Sequence, residues 1–281
     1  MKAARFDYAR PTTCIEAAGL LQRSAGTAKV ISGGQSLGAM MNLRLAQPEL
    51  LVDVRAIDTL RSCVVEAAAV TLGANTTHAE IEDGRVTDPT AGLMPHVASG
   101  IAYRAVRNRG TLGGSLAHAD PAADWVNLMA LLDARYELEG LGGARTVGTA
   151  DWMSGAFTTA LREDEILTAV RIPTLSPAAR WSYYKVNRKP GEFAEAIAAI
   201  IDDPPRGVRR GLIGATDGVP YVFAAGPLID HWDGVLADAH LTAAGLSPDT
   251  YEYRIHRTAL ARAVAGLSPM GKGLAMRGGP V

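Results

Sequence analysis

Cysteine is nearly absent from this 281-residue sequence, with Cys14 and Cys63 the only two. Two thiols form at most one disulfide and cannot ligate an iron–sulfur cluster or a zinc ribbon, so any metal redox chemistry must sit on another chain. Charge of one sign is missing too. Lys and Arg number 28 against 29 Asp and Glu, a net charge of −1, without the basic surplus or stripe of a nucleic-acid binder. No apolar run approaches the ~20 residues of a membrane span; the longest, 126–132 and 196–201, are core-sized. Residues 1–13 lack the apolar segment of a secretory leader, so a cytoplasmic protein is expected, in which the Asn75-Thr76-Thr77 sequon is inert. There is no repeat of fixed period and no Gly-x-Gly-x-x-Gly, which leaves a Rossmann nucleotide site without support.

What is present is an ordinary globular balance of 48% hydrophobic and 20% charged residues, long enough to form one or two domains. Thr13 with Glu16 three residues on reads as a capping box opening a helix to about residue 24. Residues 28–32 read as a buried strand, 39–45 as one or two helical turns, and 50–54 as another strand. Strands are expected at 63–65, 70–72, 135–139, 166–172, 181–186 and 208–215. Helices are expected near 77–82, 91–99, 236–244 and 251–267, and over 121–132 with Asp120 as N-cap. Residues 107–115 read as a loop, 193–201 fit helix or strand equally, and 173–179 form the best domain boundary. Arg254, Arg257 and Arg262 read as a solvated face, and the Gly-rich tail from Ser268 as frayed.

Several motif matches compete. Gly34-Gln35-Ser36-Leu37-Gly38 fits a nucleophile elbow, which makes a serine hydrolase the rival reading; yet only about 30 residues precede it, too few for the strands such a sheet needs upstream. Residues 266–272 have phosphate-loop spacing, but Gly273 replaces the magnesium-binding hydroxyl and the chain ends nine residues after Lys272. The six histidines show no metal spacing. His118 and Asp120 form the only close His–carboxylate pair, explained equally by a structured turn; His78, His96, His231, His240 and His256 read as surface or capping residues.

Two glycine turns of similar build remain: Ser32-Gly33-Gly34-Gln35-Ser36-Leu37 after a hydrophobic strand, and Thr111-Leu112-Gly113-Gly114-Ser115 after Arg107-Asn108-Arg109-Gly110. Paired glycines let backbone amides approach an anion, flanking hydroxyls add donors, and two such turns suit the two phosphates of a pyrophosphate.

The flanks of these turns carry a resemblance. Residues 29–37 and 43–48 resemble the first flavin motif of the medium subunits of molybdenum hydroxylases, the carbon monoxide dehydrogenase and xanthine dehydrogenase family, and 107–121 resemble the second. Residues 164–173 are similar to the strand closing that family's flavin domain, and 185–194 to the start of its C-terminal domain. The match runs in order from about Phe6 to Leu267. It implies an α+β fold: a PCMH-type FAD-binding domain over 1–175 (subdomains about 1–55 and 56–175), then a C-terminal domain over 178–281 of antiparallel sheet plus helices. It also implies a division of labour. A large subunit oxidises substrate at a molybdopterin centre, a small subunit carries two [2Fe-2S] clusters, and this medium subunit passes electrons through FAD to an external acceptor. The expected assembly is a heterotrimer, dimerised, with an apolar interface for which 152–157 and 221–223 are candidates. The second motif looks most like members acting on N-heteroaromatic compounds. A non-catalytic scaffold with a vestigial flavin fold stands beside the hydrolase as an alternative.

Carried over residue by residue, the resemblance places Lys29, Ser32, Gly33, Gly34, Gln35, Ser36 and Leu37, with Thr111, Leu112, Gly113, Gly114 and Ser115, around the pyrophosphate. Asp124 takes hydrogen bonds from flavin hydroxyls. Leu167 and Ile101 contact the cofactor, and Lys185 lies by its pyrimidine side, where a cation favours the anionic reduced flavin. The FAD is expected to be noncovalent, because neither turn holds His or Cys. Two departures stand out: Phe193 occupies a position where many relatives have Tyr, keeping a stacking face without the hydroxyl, and Trp125 follows Asp124.

Overall fold

The computed structural model describes residues 2–267; the phosphate-loop pattern and the tail from Ser268 lie outside them. Among the described residues the chain builds three main sheets in succession, with a two-stranded ribbon in the second part. First, β1 (Asp7–Ala9), α1 (Cys14–Arg23), β2 (Ala28–Ile31), α2 (Leu37–Asn42) and β3 (Leu50–Asp53) form a parallel sheet of order β1-β3-β2. Thr13 caps α1 by accepting from the Glu16 amide, while the Glu16 carboxylate reaches back to the Thr12 amide. Cys14, Ala17 and Leu21 on one face of α1 then meet Val52, Val54 and Ile57 in a small apolar core.

Second come β4 (Cys63–Val65), β5 (Ala69–Gly73), the helices α3 (His78–Glu82), α4 (Leu93–Ser99), α5 (Arg104–Arg107), α6 (Leu112–His118) and α7 (Asp124–Leu132), then β6 (Arg135–Gly140), β7 (Gly143–Gly148), β8 (Met153–Gly155), β9 (Thr158–Thr159) and β10 (Ile166–Pro173). Strand β10 returns to lie between β5 and β6 in a sheet of order β4-β5-β10-β6-β7. Helix α7 begins at Asp124 behind Ala123, three residues later than the sequence suggested. Asp120 instead accepts from the Ala122 amide in a turn, which leaves no ion pair with His118. The expected loop at 107–115 is interrupted: Thr111 caps α6, so the second glycine pair lies inside a helix's first turn.

Third, β11 (Arg180–Val186), β12 (Ala196–Asp203), β13 (Val208–Gly214) and β14 (Tyr221–Ala224) form an antiparallel meander followed by α8 (Gly226–Asp230), α9 (Gly234–Ala243) and α10 (Tyr251–Ala265). All of β12 is buried. Its odd residues Ile197, Ala199 and Ile201 join the core built around α7, and its even ones Ala196, Ala198 and Ile200 pack under α10. A strand covered on both faces reads as a continuous apolar run, which explains why period alone left 193–201 undecided. Trp152 and Phe223, expected near an interface, are core residues with 1% and 6% exposure; Phe157 at the tip between β8 and β9 is exposed. Arg257 pairs with Asp238 and Arg262 lies over the Tyr184 ring, so that basic face is engaged rather than merely solvated.

Candidate functional site

The two glycine turns, with Ser32 and Thr111 79 residues apart in sequence, meet in space. Ser32 Oγ donates to Asn75 Oδ1 at 2.6 Å, and Thr111 Oγ1 lies 3.4 Å from Ser32 Oγ. Asn75 is buried and also donates to the Val54 carbonyl, tying the ends of β3 and β5 to both turns. The glycines allow the contact. A Cβ on Gly33 would fall 2.1 Å from the Arg109 carbonyl oxygen, and one on Gly113 would fall 2.4 Å from Ala74 Cβ. These two positions are glycine because protein backbone, and not only a ligand, occupies the space a side chain needs.

The turns differ in what they offer. In the second, the amides of Leu112, Gly113 and Ser115 bond the carbonyls of Thr76, Ala74 and Thr111, and Gly114 donates to Thr111 Oγ1. Those amides are committed to the fold; the faces open outward are exposed Gly114 and half-buried Ser115. In the first, the five successive amides of Gly33 to Leu37 make no hydrogen bond among the described residues. Gly34 sits at φ +72°, a left-handed value that turns consecutive N–H groups toward one side, and Gln35 folds back to the Gly33 carbonyl. A partly exposed run of unpaired amides following a parallel strand is an anion cradle, so the residues present fit the pyrophosphate of FAD.

A second cluster joins α7 to β11. Asp124 is 7% exposed, and its two carboxylate oxygens accept from Tyr183 Oη and Lys185 Nζ, both at 2.8 Å. Placement at the first residue of α7 sets its charge against the positive end of the helix. Burial, then the Asp124 charge, holds the Tyr183 phenol well above its ordinary range, so it remains a donor. Sequence reading named Asp124 and Lys185 but missed Tyr183 and Asn75; a tyrosine in a strand and an asparagine in a sequon carry no distinguishing local signal.

A third cluster lies on the hairpin between β11 and β12. Phe193 is 62% exposed there, and the Ala102 amide donates to the Gly191 carbonyl at 3.0 Å, which ties the hairpin to half-buried Ile101. Leu167 is buried in β10 next to a bulge at Thr168, whose carbonyl accepts from Ala74, the residue under Gly113. Lys29 projects from β2 into solvent without a side-chain partner among the described residues.

The histidine expectations need correction in part. His78 and His256 are buried and His240 is half-buried against Phe223, whereas His96, beside Trp181, and His231 are exposed as expected. His78 Nδ1 accepts from Trp125 Nε1 at 2.9 Å, which gives Trp125 its role. Burial first, and the Arg107 charge second, lower the His78 pKa to about 4. The hydrolase rival finds no support. Ser36 has ordinary helical φ and ψ rather than an elbow's strain, and its hydroxyl has no hydrogen-bond partner among the described residues.

Comparison with known proteins agrees with this geometry. Residues 4–175 match the family described as FAD binding domain in molybdopterin dehydrogenase. The chain is 37% identical over 197 residues to the carbon monoxide dehydrogenase medium chain of Hydrogenophaga pseudoflava, covering 70% of this chain and 69% of that one. It is 35% identical to the nicotine 6-hydroxylase medium subunit of Paenarthrobacter nicotinovorans, covering 72% and 70%. Among solved structures, quinoline 2-oxidoreductase from Pseudomonas putida 86 superposes with a TM-score of 0.83 at 30% identity, covering 95% of this chain and 98% of that one. Carbon monoxide dehydrogenase from Hydrogenophaga pseudoflava gives 0.84, also at 30%, with the same coverage. The chain belongs to the molybdopterin dehydrogenase family of oxidoreductases, as an FAD-binding medium subunit.

Proposed function

We propose that this chain carries electrons through FAD from the [2Fe-2S] clusters of a small partner subunit to an external acceptor, while a large subunit oxidises substrate at a molybdopterin centre. The observation behind this reading is the run of unpaired amides from Gly33 to Leu37 held against the Arg109–Gly110 backbone. In this reading residues 1–175, as subdomains of about 1–55 and 56–175, bind FAD, and the C-terminal domain from 178 completes the site. The Gly33–Leu37 amides hold the pyrophosphate, with Ser32, Thr111, Gly114 and Ser115 adding donors and Lys29 adding charge. Leu112 and Gly113 act beneath them by packing. Asp124, fixed by Tyr183 and Lys185, takes flavin hydroxyl donors on its remaining lone pairs. Ile101, Leu167 and Phe193 exclude water from the rings. When bound, FAD supplies the chemistry of accepting and passing on electrons, and the protein supplies binding and orientation.

Two cysteines, one of them buried, support cluster chemistry on partner chains. An N-heteroaromatic substrate is supported by relatives named for nicotine, caffeine and quinoline. The test is purification of the assembly from its own host through a tag on this chain. Small, medium and large subunits dimerised as heterotrimers, one FAD per copy of this chain, co-purifying molybdenum and iron, and flavin bleaching on anaerobic addition of an N-heteroaromatic substrate are expected. A flavin-loaded monomer active as a dehydrogenase without molybdenum or iron overturns the reading.

A further inference from the structure

The loop 187–195 that carries Phe193, at the tip of the β11–β12 hairpin, makes one hydrogen bond to residues 2–175 among the described residues, from the Ala102 amide to the Gly191 carbonyl. That contact is tightly specified. Ala102 is held at φ +44° and Gly191 at φ +87°, and a Cβ on Gly191 would fall 2.6 Å from the Ala102 carbonyl oxygen. A non-glycine residue in left-handed conformation needs support from its surroundings. Arg107 provides it. Its Nη1 donates to the carbonyls of both Ile101 and Ala102 at 2.9 Å, while Nε and Nη2 grip the two carboxylate oxygens of Glu82 at 2.8 and 2.9 Å. The Arg107 side chain is only 12% exposed and Glu82 19%, so this fork is shielded from competing water. Glu82 ends α3 and Arg107 ends α5, so the pair ties the Ile101–Ala102 loop between α4 and α5 to the end of α3.

We propose that Arg107, braced by Glu82, is a positioning residue for the flavin site: it sets the Ile101–Ala102 loop on which the Phe193 hairpin docks. The inference rests on the reading of Ile101 and Phe193 as flavin-covering residues. Arg107 acts through them; among the described residues its side-chain hydrogen bonds go to Glu82 and to the Ile101 and Ala102 carbonyls, and none to Gly33–Leu37 or Thr111–Ser115. Its substitution therefore loosens the cover without removing the cradle. Lysine does not replace it, because an ammonium cannot span a carboxylate and two carbonyls in the planar geometry of a guanidinium.

The test uses the tagged assembly with Arg107→Met, Arg107→Lys, Glu82→Gln, Phe193→Ala and the Arg107→Met/Phe193→Ala double variant. Flavin content, the flavin dissociation rate and the visible circular dichroism of bound flavin are measured. Arg107→Met and Arg107→Lys are expected to keep the FAD ratio, to speed dissociation about fivefold or more, and to move the dichroism toward that of Phe193→Ala. The double variant is expected to match Phe193→Ala alone, since the clamp works through the hairpin. Glu82→Gln, which keeps one acceptor and most of the packing, should show the same changes at smaller size even if Arg107→Met does not fold. Wild-type dissociation and dichroism in Arg107→Lys and Glu82→Gln, with only a lower melting temperature, overturn the proposal, as does additivity in the double variant. A wild-type assembly without FAD overturns instead the reading beneath it.

Discussion

The two glycines of the first turn and Gly38 just after it sit in three different environments, which gives the cradle an internal test. Gly38 in α2 has open space where a Cβ would be, so Gly38→Ala is expected to be neutral or stabilising by up to about 1 kcal/mol through helix propensity. Gly34 has φ +72° and only the flexible Ile31 side chain nearby, so Gly34→Ala should cost about 1–2 kcal/mol of backbone strain. Gly33→Ala is a different matter. The new methyl would lie 2.1 Å from the Arg109 oxygen, 2.7 Å from its carbonyl carbon and 2.9 Å from Gly110 Cα. Backbone atoms cannot swing away as a side-chain tip does, so the two turns must separate. An overpacking loss of about 3 kcal/mol or more is expected. Because the separated turn carries the unpaired amides, FAD content should fall before global stability does. Urea unfolding and flavin-to-protein ratio, measured on all three variants, give the order Gly38, Gly34, Gly33 of increasing damage. Gly33→Ala no worse than Gly38→Ala on both measurements would refute the apposed-turn geometry.

Lys185→Met leaves the Asp124 carboxylate buried with Tyr183 alone, and should lower stability by about 3 kcal/mol in urea unfolding and weaken FAD binding. The pH dependence follows from His78, whose folded pKa of about 4 lies below its ordinary 6.5. The unfolded chain binds that proton more readily, so the contribution is whole above pH 6.5 and is lost as pH falls toward 4, on the order of 3 kcal/mol in all. His78→Gln, which still offers Trp125 Nε1 an acceptor, should flatten this part of the stability–pH curve. Finally, exposed Cys63 should react with a thiol reagent in the native chain. Cys14 should not, since burial first and Glu139 second push its thiol to about 11; one thiol should titrate before unfolding and two after.

How much was legible in the sequence depends on how local the signal is. Thr13 and Glu16 announced α1 because capping is a four-residue event, and the glycine turns stood out because their spacing and flanks repeat a family pattern. The meeting of those turns was not legible. It runs through Asn75 and Ala74, two small residues whose importance comes from sheet β4-β5-β10-β6-β7 bringing them beneath the turns. The expectation that Gly113 makes room for phosphate gave way for the same reason: its missing side chain faces Ala74. The Tyr183–Asp124–Lys185 cluster joins residues about 60 positions apart, and His78 looked like a surface residue until Trp125 closed over it. Helix α7 began late because Asp120 caps a turn just as readily as a helix.

The central claim is that the Gly33–Leu37 amides hold the FAD pyrophosphate, and a crystal structure of the flavin-loaded assembly tests it most directly. Pyrophosphate oxygens within about 3.2 Å of several of those five amides, with Ser32 and Thr111 alongside, are the predicted result. A flavin bound elsewhere, with the Gly33–Leu37 amides facing only water, would contradict it.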